Sequence, residues 1–221
     1  MQFLGPVTWP EVVFEWLSSE QHKLPGGAQV GDLLVKRDLD DAERNRQREA
    51  LLRINHREPV INGLPTGSAR WVRIEESDLS DMCVIPDPSW YPNTAGTFRL
   101  VDTAENLRPG RGSLVLPLIG PIGTYDAVRE KSRYIHGYDA ETTSEALILV
   151  ASDDNGPYTI IDGTHRAAAL YLDHAKNMNM PWKGILFSDP SIAGYRWHIG
   201  SLEAKLNIFQ QGIYASHGLL W

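Results

Sequence analysis

Apolar and polar positions along the chain predict a protein of mixed helices and strands. Over residues 9–21, Val13, Trp16 and Leu17 share one helical face and Pro10 suits a first turn, so a helix is expected. Leu24-Pro25-Gly26-Gly27 breaks it. A second helix is expected over 38–55, with acids early, bases later and Leu51, Leu52 and Ile54 near its end, an order that complements the helix dipole. Residues 58–68, with two prolines and two glycines, read as a loop. Trp71, Arg73 and Glu75 alternate with Val72 and Ile74, the period of a strand over 70–76, and Ser77-Asp78-Leu79 opens a helical turn. Residues 86–113 are rich in proline and glycine, an irregular stretch of the kind that often carries function. A short strand over 114–118 and a helix over 125–135 follow.

The pattern sharpens after residue 145. Ala146 to Ala151 is an unbroken apolar run, expected as a buried strand. Residues 153–157 form a turn, 158–161 the return strand, and Thr164 opens an alanine-rich helix that runs to about Asn179, before Pro181. Residues 184–187 are a third strand, and 202–213 a mixed helical tail.

Composition narrows the class. At 221 residues, 42% of them hydrophobic and 22% charged, the chain can bury a real core as one large domain, or as one domain with an N-terminal extension. A net charge of -7 argues against a polyanion binder, because non-specific nucleic-acid affinity comes from many Lys and Arg contacts. Cys83 is the single cysteine, which excludes a disulfide framework within the chain and a cysteine zinc site, and suits a reducing cytoplasm. The seven histidines show no His-x-x-x-His spacing. No apolar run is long enough to span a membrane, and residues 1–6 lack a basic leader, so a soluble cytoplasmic protein is expected.

Candidate chemistry concentrates in Asp162-Gly163-Thr164-His165-Arg166, where the strand becomes the helix. The first amides of a helix have no acceptor within it, and the dipole adds positive character. Gly163 allows a ligand oxygen close to the backbone, Thr164 offers a hydroxyl, and His165 and Arg166 are further donors. Such a helix start is a ready anion site, most naturally for phosphate. An ordinary capped turn has the same Asp-Gly opening, but basic residues in the first turn oppose the dipole, and an anion would offset that. Asp162 needs its own role beside a phosphate: a cap, a metal ligand, or a base toward a hydroxyl.

Other residues are secondary candidates. Glu75 and Glu76, at the end of the 70–76 strand, could supply a base or metal ligand, or merely cap a turn. Arg129, Lys131, Arg133 and His136 could reach phosphates, or form a solvated helix face. Tyr195, Trp197 and His198 could line a pocket, though such clusters more often belong to a core. Gly110-Arg111-Gly112 is too short to count as a nucleotide-binding glycine motif.

The run from Tyr158 to Ala169 resembles the ParB/sulfiredoxin superfamily, whose members share a strand, an Asp/Gly-Gly-x-His-Arg motif or close variant, and an alanine-rich helix. The likeness is good over 145–187 and loose over 70–145. It implies an α+β fold: a ParB/sulfiredoxin-like mixed sheet with flanking helices over 67–221, and an N-terminal helical extension over 1–66. Members place nucleotide phosphates on this helix start. Sulfiredoxin carries a catalytic cysteine where Thr164 stands, so its repair chemistry is not expected. ParB proteins continue into a DNA-binding region, and Ser188 to Trp221 offers only Arg196 and Lys205 as cations. The free-serine kinases carry Asp-Gly-His-His-Arg, matched at Asp162, Gly163, His165 and Arg166, with Thr164 replacing a histidine. The resemblance therefore implies a kinase using ATP or ADP with Mg2+ to phosphorylate a hydroxyl-bearing metabolite. Asp162 and His165 would be catalytic, Gly163 to Arg166 with Arg129, Lys131 and Arg133 would hold phosphates, and Asp162, Glu75 and Glu76 would be metal ligands. The alternatives are a non-catalytic module binding CTP, ATP or nucleic acid, and a ParB-like nuclease.

Overall fold

The computed structural model describes residues 1–20, 27–54, 58–86, 90, 94, 96–106, 146–173, 182–206 and 210. In chain order these form β1 (Gln2–Pro6), α1 (Trp9–Glu20), α2 (Gly27–Leu34), α3 (Ala42–Leu52), α4 (Glu58–Ile61), β2 (Ala69–Ile74), α5 (Glu76–Leu79), β3 (Met82–Val84), α6 (Leu100–Asn106), β4 (Leu147–Ala151), β5 (Tyr158–Asp162), α7 (Thr164–Asp173) and β6 (Trp182–Ser188). Short 3-10 helices stand at Thr66–Ser68 and Pro190–Gly194.

The strands form one open sheet in the order β1-β2-β6-β4-β5-β3. Its pairing is mixed: β4 runs parallel to β6 and β3 to β5, while β1 with β2, β2 with β6 and β4 with β5 are antiparallel. The described strands thus make a mixed six-stranded sheet, and with the helices an α+β architecture.

The central strands read as continuous apolar runs because both of their faces are covered. Along β4, Leu147, Leu149 and Ala151 enter one core while Ile148 and Val150 enter the other. The first core is roofed by α6 and α7. Leu100, Ala104 and Ala167 to Ala169 are fully buried there, and the alanines let α7 lie close to the sheet. The second core is roofed by α1, with Leu52 of α3 and Val60 and Ile61 of α4. Trp16 and Leu17 of α1 are fully buried, and each such side chain contributes on the order of 1.5–3 kcal/mol.

The strands at 146–151, 158–161 and 184–187 stand where the pattern put them, with β6 beginning two residues earlier. The second helix is shorter than 38–55 because Asp41 caps it, accepting the Arg44 amide at 2.9 Å. Elements also appear where none were expected. Glycine 27 opens α2, α4 lies inside the 58–68 loop, and α6 lies inside the irregular 86–113 stretch. β1 and β3 were not foreseen, being an edge strand containing Gly5 and Pro6 and a strand of three residues. The residues expected as a helical extension therefore supply an edge strand of the same sheet and the roof of its second core. The strand expected at 114–118, the helix expected at 125–135 and the end of the 164–179 helix lie outside the described residues.

Arg48 ties the N-terminal helices together. Its buried guanidinium donates to the carbonyls of Leu33 (3.0 and 2.9 Å), Lys36 and Asp38 (3.1 Å), and to Asn45 Oδ1 at 2.7 Å. It lies over the Phe14 ring at 5.0 Å, so α2, the loop after it, α3 and α1 meet on one side chain.

Candidate functional site

β5 passes directly into α7 through Gly163, whose φ of +90° is the left-handed region that favours glycine. A Cβ there would also make side-chain ends shift, lying 2.6 Å from Leu147 Cδ2 and 2.8 Å from Arg166 Nη2. The α7 ladder begins with the Ala167 amide donating to the Gly163 carbonyl at 2.9 Å. The amides of Thr164, His165 and Arg166 precede that ladder, at the positive end of the dipole. This backbone is the kind that receives anions.

The side chains of the motif divide into two groups. Arg166 folds back over Gly163 and is only 8% exposed. Its Nη2 donates to the Ala146 carbonyl at 3.1 Å and to Asp162 Oδ2 at 3.4 Å. Asp162, also buried, lies within 2.9 Å of the Ser19 hydroxyl through the same Oδ2. Ser19 Oγ is also 2.8 Å from the Trp16 carbonyl, but it has a single proton to give. A charge-assisted bond contributes about 1.5–3 kcal/mol against about 1 for a neutral one, so the carboxylate is the preferred acceptor. Asp162, Arg166 and Ser19 therefore make a buried inner group. Thr164 is largely buried beside them, and His165 is half-buried, its ring tilted against Trp90 with centroids 5.0 Å apart.

Arg166 was expected to point outward as a phosphate donor. In this structure it serves the protein's own carboxylate and carbonyl instead, because Asp162 lies one helical turn back across a residue with no side chain. The sequence reading missed Ser19 and Trp90 as neighbours of the motif. A signal for Ser19 existed. It falls at i, i+4, i+7 with Val12 and Trp16, so a polar residue occupies an apolar stripe.

Glu75 and Glu76 are exposed at the end of β2, where Glu75 caps α5 in a reciprocal capping box with Asp78. They share the sheet end with Gly163, but β6 and β4 intervene, about 14 Å by strand spacing. The structure does not bring them to Asp162. Arg129, Lys131, Arg133 and His136 lie outside the described residues, as does Gly110-Arg111-Gly112. Among the described residues no three His, Cys, Asp or Glu side chains group as a metal site.

Three further candidates are held in packing contacts. Tyr195 donates its hydroxyl to the Val60 carbonyl at 2.8 Å, and burial pushes its pKa up. His198 is buried against Thr159, and Trp197 lies under the Arg196 guanidinium at 4.6 Å. Cys83 is buried, and desolvation raises its thiol to about 11, which disfavours the thiolate.

No family model matches the chain, no curated protein matches it, and no solved structure matches it. Fold and site therefore stand on their own: an α+β protein with a mixed six-stranded sheet, whose described helices include none long and apolar enough to cross a membrane.

Proposed function

We propose that the chain is a nucleotide-dependent kinase of ParB/sulfiredoxin-like fold that phosphorylates a hydroxyl group of a small metabolite. One observation carries this reading: a left-handed glycine at the end of a central strand opens α7 directly beside an imidazole, a hydroxyl and a carboxylate. Phosphoryl transfer is mainly positioning and charge stabilisation, and such a turn supplies both.

In this proposal the amides of Thr164, His165 and Arg166 and the Thr164 hydroxyl hold the phosphates of ATP or ADP. His165 donates to a phosphate oxygen, its ring oriented by Trp90. Arg166 reaches the same phosphates only by leaving the Ala146 carbonyl. Asp162 takes the proton of the acceptor hydroxyl. The described residues build no carboxylate cage for Mg2+, since Glu75 and Glu76 stand apart from Asp162. A magnesium ion would come in on the nucleotide phosphates and neutralise part of their charge.

The test is thermal shift of the full chain with ATP, ADP and CTP, with and without magnesium, followed by transfer of labelled phosphate to hydroxyl compounds including free serine. Nucleotide binding to the native state must raise the melting temperature. Absence of a shift with all three nucleotides removes the proposal. Binding without transfer to any acceptor leaves a non-catalytic nucleotide-binding module in its place.

A further inference from the structure

Resting on that phosphotransfer proposal, we infer that Ser19 is a positioning residue for Asp162, so that the N-terminal helix completes the site. The two residues lie 143 positions apart, yet the Ser19 hydroxyl meets Asp162 Oδ2 at 2.9 Å, with both side chains buried.

Three features make this contact more than packing. First, α1 buries Val12, Val13, Trp16 and Leu17 against the sheet, and Ser19 continues the stripe of Val12 and Trp16. A serine there forgoes apolar burial, and its one proton has two acceptors in reach, the Trp16 carbonyl at 2.8 Å and Asp162 Oδ2 at 2.9 Å, of which the carboxylate is the stronger. Second, Arg166 approaches the same carboxylate oxygen at 3.4 Å while also serving the Ala146 carbonyl. Ser19 is thus the closer hold on Oδ2. Third, in the proposed reaction Arg166 moves to the phosphates. Ser19 then keeps the carboxylate in place while its ionic partner is engaged elsewhere.

The step in which this matters balances as follows. The acceptor oxygen forms a bond to the terminal phosphorus of the nucleotide, and its proton passes to the Asp162 carboxylate. The bridging P–O bond breaks, and the departing nucleotide keeps the electron pair. Ser19 touches neither nucleotide nor acceptor and acts only through the orientation of Asp162, where small misplacements slow a reaction steeply.

The experiment compares wild type, Ser19→Ala, Ser19→Cys, Ser19→Thr, Asp162→Asn and the double variant Ser19→Ala/Asp162→Asn as full-length protein, with ATP or ADP and free serine as the probe acceptor. Ser19→Cys keeps the volume with a weak donor, and it serves if Ser19→Ala fails to fold. Expected are a kcat about tenfold lower in Ser19→Ala or Ser19→Cys, a nucleotide Kd within about twofold of wild type, and recovery in Ser19→Thr. Ser19→Ala should add no further loss in the Asp162→Asn background, because residues acting as a unit are not additive. An unchanged kcat in both Ser19 variants overturns the inference, as do losses that multiply in the double variant. Wild type transferring no phosphate from either nucleotide removes the kinase reading and the Ser19 role together. The Ser19 role alone falls if wild type and its Ser19 variants transfer equally.

Discussion

His198 Nδ1 lies 3.1 Å from Thr159 Oγ1, and the same hydroxyl oxygen accepts the Ile199 amide at 3.0 Å. The Thr159 hydroxyl keeps one proton and a second lone pair, so it pairs with the neutral imidazole in either tautomer. Burial lowers the His198 pKa, ahead of the charge of Lys205, while Asp153 acts in the opposite sense. As pH falls through about 6.5, the unfolded chain takes up a proton that the folded chain refuses. Stability is therefore lost on acidification, until pH passes below the folded-state pKa. Urea unfolding at pH 7.5 and pH 5 should show the wild-type advantage over His198→Gln shrinking at the lower pH. An advantage that is constant or grows would contradict the neutral-ring assignment.

Gly163→Ala combines a left-handed backbone with a Cβ inside contact distance of Leu147 and Arg166. The expected cost is about 2–4 kcal/mol, read from the shift in urea midpoint at unchanged slope. Gly67→Ala is the control, since a Cβ there meets nothing within 4 Å.

Arg48→Met keeps most of the apolar stem but strands the carbonyls of Leu33, Lys36 and Asp38. A loss of about 3 kcal/mol is expected, together with earlier proteolysis near residues 33–38. Equal stability of the variant and wild type would show that water replaces the guanidinium without penalty.

The Trp90–His165 contact gives an optical handle on phosphate binding. If ATP or ADP docks on α7 and draws His165 toward a phosphate, tryptophan emission changes on titration. Trp90→Phe should remove most of that change while preserving the thermal shift. An equal change in the variant would place the reporter elsewhere.

Cys83, buried and with its thiol raised to about 11, should resist iodoacetamide at pH 8 in the folded protein and react promptly in urea. Mass spectrometry of the intact chain counts the adduct. Rapid alkylation of the native protein would mean that β3 opens readily.

The centre of the sheet was legible because β4, β5 and β6 are apolar on both faces, and a run such as Leu147 to Ala151 has few alternatives. The turn at Gly163 was legible for its backbone chemistry, which depends on neighbours in sequence. What it does with its side chains was not. Arg166 turns inward because Ala146 and Asp162 lie within its reach, and the first of those is set by strand pairing twenty residues away. Ser19 reaches Asp162 only through the packing of α1 on the sheet, which no local pattern records. β1 escaped because an edge strand with Gly5, Pro6 and two exposed apolar side chains lacks the alternation of a half-buried one.

The last of the described strands in sequence, β6, lies between β2 and β4. On the ribosome the first hundred residues emerge with neither of their cores closed, and β1 and β2 can pair as a hairpin but have no sheet to join. Residues 182–188 fill the gap between β2 and β4. Joining the β1-β2 pair to β4, β5 and β3 thus rests on contacts far apart in sequence, a topology that slows folding.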